Sequence, residues 1–336
     1  MNQTNQLNPL VSIAVCTYNG EKYLKRQLDT LVNQTYPNLE IIVLDDGSSD
    51  RTWEILKEYE AQFSFFTAIK NEENLGYVKN FEKALGLCNG EFIALSDQDD
   101  IWELGKIEKQ VASIGDHLLI YHDSHFIDEN DNDLEKCMTD IINLYHGSDP
   151  EPFLLFNCVS GHTMLIKREL LDYALPFQKG YFHDHWLAYV ASNVGSIGYV
   201  DERLVSYRQH TESNTDILNL RKRNRNKRYH SNRDVNKLQK ELSWLKMCAS
   251  YPNNKDSRLV KKLTRMFENR MSSFISIDYA IYLFKNRDRF LCIPKKSAAS
   301  KNTFIYKQIW GLKTKLFWDK LSQKQILPEL RSFLHL

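Results

Sequence analysis

Over the first hundred residues the apolar positions switch between two periods. Val11-Ser12-Ile13-Ala14-Val15-Cys16 is a short apolar run that breaks at Thr17-Tyr18-Asn19-Gly20, after which Leu24, Leu28 and Leu31 recur at helical spacing. Glu40-Ile41-Ile42-Val43-Leu44 is a β-branched run typical of a strand buried on both faces. It ends at Asp45-Asp46-Gly47-Ser48-Ser49-Asp50, a turn and helix-start signal. Leu56, Tyr59 and Phe63 mark a second helix, Phe65 to Ile69 a weaker strand, and Asn74-Leu75-Gly76 a turn. Phe81, Ala84, Leu85 and Cys88 trace a third helical face, Asn89-Gly90 closes it, and Glu91-Phe92-Ile93-Ala94-Leu95 is the fourth strand. Strands alternating with helices of this length predict right-handed crossovers and an α/β fold with a mostly parallel central sheet flanked by helices.

Ligands of such sheets bind beyond the carboxyl ends of the strands. That rule brings Thr17-Tyr18-Asn19, Asp45-Asp46 and Ser96 to Asp100 onto one rim, although they are far apart in sequence. Beyond residue 117 the pattern loosens. Leu118 to Ile127 predicts a strand, 129–155 an insertion rich in Asp, Asn and Pro, and Gly161 to Ile166 another strand. His183 to Val194 predicts a helix and Ile197 to Val200 an edge strand. From residue 230 the chain turns helical, with Val235, Leu238, Leu242 and Leu245 as one stripe and Leu259, Leu263, Met266 and Met271 as another. The expected organisation is an α/β domain over 1–215 and a basic, mainly helical region over 216–336.

Charge sharpens that division. The net charge of +1 conceals 16 Lys and Arg against 33 Asp and Glu in residues 1–210, a balance of −17. Residues 211–336 carry 28 against 10, a balance of +18. The six cysteines lie far apart with no Cys-x-x-Cys pair, which argues against a zinc ribbon or disulfide framework and suits a reducing compartment. Met1 to Pro9 is polar, unlike a signal peptide. The apolar stretch near Met271 to Phe284 is too short to span a membrane and carries Asp278.

The candidate chemistry sits in the acidic half. Asp97-Gln98-Asp99-Asp100 directly follows a buried strand, and three carboxylates within four residues repel one another unless a cation or solvent separates them. A solvated turn with Asp100 capping a helix is one reading. The position beside Asp45-Asp46 favours the other, a site for Mg²⁺ or Mn²⁺, ions that keep open positions for substrate phosphates.

Val11 to Asn19, Ile42 to Asp50 and Ser96-Asp97-Gln98-Asp99-Asp100-Ile101-Trp102, in that order and spacing, resemble a family 2 glycosyltransferase of the GT-A fold. The likeness covers residues 10–210 and is closest to bacterial enzymes of surface polysaccharide synthesis, including rhamnosyltransferase-like members. The resemblance implies a nucleotide-sugar donor and a divalent metal cofactor, Mn²⁺ or Mg²⁺. Asp97 and Asp99 match the family's DxD motif, with Asp99 as direct metal ligand and Asp97 supporting the ribose or the metal's water shell. Asp46 matches the acceptor of a hydrogen bond from a pyrimidine base. Thr17, Tyr18 and Asn19 match the loop around the nucleoside, and Asn74 and Gly76 sit where a loop runs past the donor or form a simple turn.

An inverting transfer needs a general base for the acceptor hydroxyl. His183-Asp184-His185-Trp186 opens the helix in the second half, and the resemblance places the catalytic Asp there, at Asp184. A plain helix cap at Asp184 is the alternative, and His183 and His185 are alternative bases. Trp186 and His183 are expected to meet the acceptor, Trp186 as an apolar wall. His210 is expected to reach the metal, against the default of a surface histidine. Arg208 is either a phosphate contact or an edge-strand ion pair.

Arg221 to Arg228 is a dense cationic run in a tail that also carries apolar stripes. Basic amphipathic segments bind anionic membrane surfaces, so the expected setting is cytoplasmic, peripheral to the inner face of the cell membrane, with a lipid-linked glycan acceptor. No nucleic-acid motif accompanies the run and no nucleic-acid partner is expected. A nucleotidyltransferase is disfavoured because Cys16-Thr17-Tyr18-Asn19-Gly20 lacks the glycine-rich cationic loop of that class. A non-catalytic binding module leaves the acidic clusters unexplained.

Overall fold

The computed structural model describes residues 8–210, 217–218 and 231–323; the cationic run 221–228 lies outside them. These residues divide into two compact units, one within Met1–Phe153 and Asn157–Lys222, the other within Leu154–Phe156 and Arg223–Leu336.

The first unit opens with β1 (Val11–Thr17), α1 (Leu24–Val32), β2 (Leu39–Asp45), α2 (Thr52–Gln62), β3 (Phe66–Lys70), α3 (Tyr77–Leu87) and β4 (Phe92–Ser96). It continues through β5 (Ile101–Trp102), α4 (Lys106–Ile114), β6 (Leu119–Ile127), β7 (Asp133–Cys137), β8 (Leu165–Lys167), α5 (Leu171–Ala174), α6 (His183–Val194) and β9 (Ile197–Arg208). The sheet order is β3-β2-β1-β4-β8-β6-β9-β5, with β7 paired to β6. β3, β2, β1 and β4 are mutually parallel, as are β6 and β9, while β8 and β5 run antiparallel to their neighbours. The predicted mostly parallel sheet is therefore present.

Alternation along the buried strands explains the layers. Val11, Ile13, Val15, Ile41 and Val43 face a core closed by Leu24, Leu28 and Leu31 of α1, Leu56 and Tyr59 of α2, and Ile107 and Ile114 of α4. α3 buries Phe81, Ala84 and Leu85 against the β1–β2 side of the sheet.

Three local expectations need correction. Asp100 starts no helix: it leads into β5, and the helix begins at Lys106. The strand predicted over Ile197–Val200 extends to Arg208 because the alternating Leu204-Val205-Ser206-Tyr207 continues the ladder, and β5 flanks its far end at Val205 and Ser206. The strand predicted from Gly161 begins only at Leu165, with Gly161–Thr163 forming a single helical turn.

The second unit is helical: α7 (Ser231–Ser250), α8 (Ser257–Ser272), α9 (Ile277–Lys285), α10 (Arg287–Phe290), α11 (Ala298–Lys307) and α12 (Leu312–Gln323). Trp244, Leu245 and Cys248 on α7 and Leu259, Val260, Leu263 and Phe267 on α8 are buried. Phe267 takes the core position that the sequence stripe gave to Met266, which is only partly buried. Asp256 caps α8 by accepting from the Leu259 amide at 2.9 Å.

Candidate active site

Strand register sets the polar ends abreast. Thr17 pairs with Asp45, Asp45 with Lys70, and Val15 with Ser96, so each strand releases its loop on the same side. Asp45 is fully buried and internally committed, accepting from Thr17 Oγ1 at 3.1 Å, from the Ser48 amide at 3.1 Å and from the Ser48 hydroxyl.

Asp46 organises the loop after β3. Its Oδ1 accepts from Asn71 Nδ2 at 2.9 Å and from the Leu75 amide at 2.8 Å, and its Oδ2 from the Gly76 amide at 2.9 Å. Asn74 Nδ2 donates to the Asp46 carbonyl at 2.9 Å. Gly76 has φ 76°, a left-handed conformation that a side chain would strain, and it turns that amide towards the acid. A carboxylate offers about four acceptor sites, so Oδ2 keeps one in reserve. Tyr18 is exposed, and its peptide unit is gripped by Gln98, whose Oε1 accepts from the Tyr18 amide at 2.8 Å while Nε2 donates to its carbonyl at 3.1 Å. Asn19 Oδ1 accepts from the Ser49 amide at 2.9 Å, tying the first loop to the second.

The acidic turn separates into an outer and an inner pair. The Asp97 and Asp99 side chains are 45% and 20% exposed, whereas Asp100 is fully buried. His210 Nε2 lies 2.9 Å from Asp99 Oδ2. His162 Nδ1 lies 3.7 Å from Asp97 Oδ2 and 3.6 Å from Asp100 Oδ2. Ligand atoms of Asp97, Asp100 and His162 all lie within 4.8 Å of one another. Asp100 Oδ2 and His162 Nε2 have no hydrogen-bond partner among the described residues. Burial holds the Asp100 carboxyl above the usual range, opposed by the charge of His162. Burial alone would lower His162, but Asp100 and Asp97 hold it above its ordinary value. Carboxylate and imidazole donors grouped around unsatisfied buried atoms fit a divalent cation.

Sequence reasoning missed His162. Its Gly161-His162-Thr163 turn has no periodicity, and only the pairing of Ala94 with Leu165 carries it past the end of β4. Arg208 is buried and ion-paired, its Nη1 2.5 Å from Asp131 Oδ1. Its amide donates to Asp100 Oδ1 at 3.0 Å, its Nε to the Asp99 carbonyl at 2.7 Å and its Nη1 to the Asp128 carbonyl at 3.0 Å.

Asp184 stands in the first turn of α6, partly exposed, its Oδ1 accepting from the His185 amide at 2.6 Å. Burial pushes its carboxyl up to about 7, the His185 amide opposing the rise and the charge of Asp97 adding to it. His183 is buried against Phe81, ring centroids 4.3 Å apart, and burial pushes it down to about 4. Trp186 points into the core, its Nε1 donating to the Ala174 carbonyl at 2.8 Å. The exposed aromatics beside Asp184 are instead Phe182 and Tyr77, ring centroids 5.9 Å apart.

This sheet carries a loop-lined acidic rim facing a half-buried carboxyl, and the chain is similar to known proteins. The sequence model of glycosyl transferase family 2 matches residues 12–174. A glycosyltransferase of Haemophilus influenzae is 32% identical over 222 residues, 63% of this chain and 69% of that one. A UDP-Glc:alpha-D-GlcNAc-diphosphoundecaprenol beta-1,3-glucosyltransferase of Escherichia coli is 30% identical over 188 residues, 55% of this chain and 71% of that one. The crystal structure of S. aureus TarS 1–349 in complex with UDP superposes with a TM-score of 0.53 at 20% identity, covering 83% of this chain and 77% of that one. The chain belongs to glycosyltransferase family 2 and has the GT-A fold.

The Asp46 cradle makes a direct prediction. Asp46→Asn places an amide among three N–H donors and is expected to lower stability by about 1–3 kcal/mol. Hydrogen exchange should speed up at residues 74–76, and unchanged protection there would show that the loop is held by other contacts.

Proposed function

We propose that this protein is an inverting, metal-dependent transferase that moves a hexose or deoxyhexose from a UDP- or dTDP-sugar to a hydroxyl of a lipid-linked surface glycan. The observation that carries the reading is the convergence of Asp46, the Asp97–Asp100 turn and Asp184 at one end of the sheet. The diphosphoundecaprenol acceptor in the name of the E. coli relative supports the lipid-linked acceptor, and with it a place at the inner face of the cell membrane.

Asp46 accepts from the pyrimidine N–H through its reserve site, and Thr17, Tyr18, Asn19, Asn74 and Gly76 shape the walls around the nucleoside. Asp97, Asp99 and His210 hold the cation, because a metal that keeps positions for phosphate needs ligands open to the rim. His162 and Asp100 support it from behind. When bound, Mn²⁺ or Mg²⁺ supplies neutralising charge for the departing diphosphate. Asp184 takes the acceptor O–H proton as that oxygen bonds to the anomeric carbon and the bond to the nucleotide diphosphate breaks, inverting the centre. Phe182 and Tyr77 give the acceptor sugar the exposed aromatic wall that buried Trp186 does not offer; His183 packs behind them.

Four measurements test this reading. Asp99→Ala and His210→Ala are each expected to weaken Mn²⁺ binding, read by calorimetry, about tenfold or more. His162→Gln should do less, and the reverse order would move the ion to the inner pair. Asp184→Asn should retain donor binding while slowing transfer about 10²–10⁴-fold. Because the base must be ionised, transfer should rise with pH through about 7 and level off above it; a flat profile there would remove Asp184 from that role. Tyr77→Ala and Phe182→Ala should raise the acceptor KM about tenfold at unchanged donor KM, and an equal rise in both would place the pair against the donor.

A further inference from the structure

Helices that fold into a bundle normally turn their apolar stripe inward. α9 carries two. Tyr279, Ala280 and Leu283 are buried in the second unit, while Ile277, Ile281 and Phe284, at i, i+4 and i+7, stand between 48% and 55% exposed. Phe274 and Ile275 immediately before the helix are equally bare, at 55% and 54%. Five large apolar side chains are exposed within eleven residues, three of them on one helical face, where scattered single exposures would need no explanation.

That surface is held in place. The Phe274 carbonyl accepts from the Gly311 amide at 2.8 Å and the Ser273 carbonyl from the Lys313 amide at 3.2 Å, joining the segment to the start of α12. A Cβ at position 311 would lie 2.1 Å from the Ser273 oxygen, so glycine permits this close approach. Its margin is cationic. Lys313 Nζ lies 6.0 Å from the Phe274 ring, and the Arg287 guanidinium 5.5 Å from that of Phe284. Lys285 is exposed at the end of the same helix, and Asp278 is the one acidic residue within it. Between residues 257 and 318 there are 14 Lys and Arg against 3 Asp and Glu.

We propose that the α9 face, Phe274, Ile275, Ile277, Ile281 and Phe284 with Arg287 and Lys313 at its margin, docks this protein on an anionic lipid surface. Apolar side chains entering the acyl boundary and cations meeting headgroup phosphates are the two components of reversible interfacial binding. A second copy docking through this same face would have to bring its excess of positive charge against itself, and the apolar stripe with a cationic margin matches the two components of a lipid surface. The proposal deepens the membrane-side reading above and assigns it to a folded surface in addition to the cationic run 221–228.

The test is flotation of the full chain with vesicles of phosphatidylcholine, alone or with about 30% phosphatidylglycerol, at physiological salt. Wild type should float with the anionic vesicles at least about tenfold more than with the neutral ones. Ile281→Glu with Phe284→Glu should reduce that binding about tenfold or more, and Arg287→Gln with Lys313→Gln should weaken it severalfold and flatten its dependence on phosphatidylglycerol. Both double variants should keep the wild-type thermal transition and donor hydrolysis. Failure of wild type to float, or equal flotation of wild type and both variants, overturns the proposal. Conversion of a wild-type dimer to monomer by the glutamates also overturns it, in favour of a second copy. Loss of sugar transfer in wild type with flotation intact would instead sink the catalytic reading and leave this face standing.

Discussion

A buried guanidinium lies behind the acidic turn, and the rest of the site is arranged around it. Arg208 closes β9 and reaches from there to the Asp99 carbonyl, the Asp100 carboxylate through its own amide, the Asp128 carbonyl and Asp131 Oδ1 at 2.5 Å, with the Tyr23 ring 4.5 Å away. One side chain thus joins the ends of β6 and β9 and the turn after β4 to the entry of α1. A buried cation costs free energy unless it is fully partnered, and here its partners are the Asp99 and Asp128 carbonyls and the Asp131 carboxylate. The guanidinium thereby fixes the backbone of the turn at Asp99, while the Arg208 amide fixes the Asp100 carboxylate.

The parallel register sets the frame around that anchor. Once Val11 lies beside Leu39 and Phe92, the side-chain alternation commits every later residue of the three strands. Thr17, Asp45 and Ser96 must then end together, and the loops they release have only each other to bond. Asp45 holding Thr17 and Ser48, Asp46 holding the Leu75 and Gly76 amides, and Gln98 holding the Tyr18 peptide are the result. A rim so committed to its own backbone is shaped before any ligand arrives, which limits the ordering a ligand must impose.

Legibility in sequence followed the range of the interaction. The four leading strands and three helices could be read because hydrophobic period is a local signal, and the acidic rim followed because parallel sheets fix where strands end. Asp97 to Asp100 stood out by composition within a few residues, and Asp184 through the family resemblance. His162 could not be found that way, since its place depends on the antiparallel return of β8 beside β4. Trp186 was misjudged for a related reason: an indole next to His-Asp reads as a sugar wall until the carbonyl of Ala174, twelve residues earlier, is seen to take its N–H. The exposed Ile277–Phe284 stripe of α9 was also hidden, because a helix apolar on two faces reads in sequence simply as buried. Asp100 fits the same pattern, since its burial depends on Arg208, which is remote in sequence.

The two halves of the chain carry opposite charge, and their proposed ligands divide the same way. The acidic half, 33 Asp and Glu against 16 Lys and Arg, would repel a nucleotide diphosphate on approach, yet it holds the rim proposed to bind one. The proposed divalent cation would resolve the conflict locally, converting the outer carboxylates from a barrier into an attachment point only where they converge. In the proposed arrangement Asp97, Asp99 and His210 would meet that ion from the rim, with the more deeply buried Asp100 and His162 behind them. Selectivity for the donor would then rest on a small neutralised patch in a repulsive field, which disfavours adventitious anions elsewhere on the surface. The basic half, 28 Lys and Arg against 10 Asp and Glu, would be attracted without any such ion to the phosphates of the proposed anionic lipid surface. Partition of charge within one chain would thus keep the soluble donor and the membrane surface from competing for the same groups.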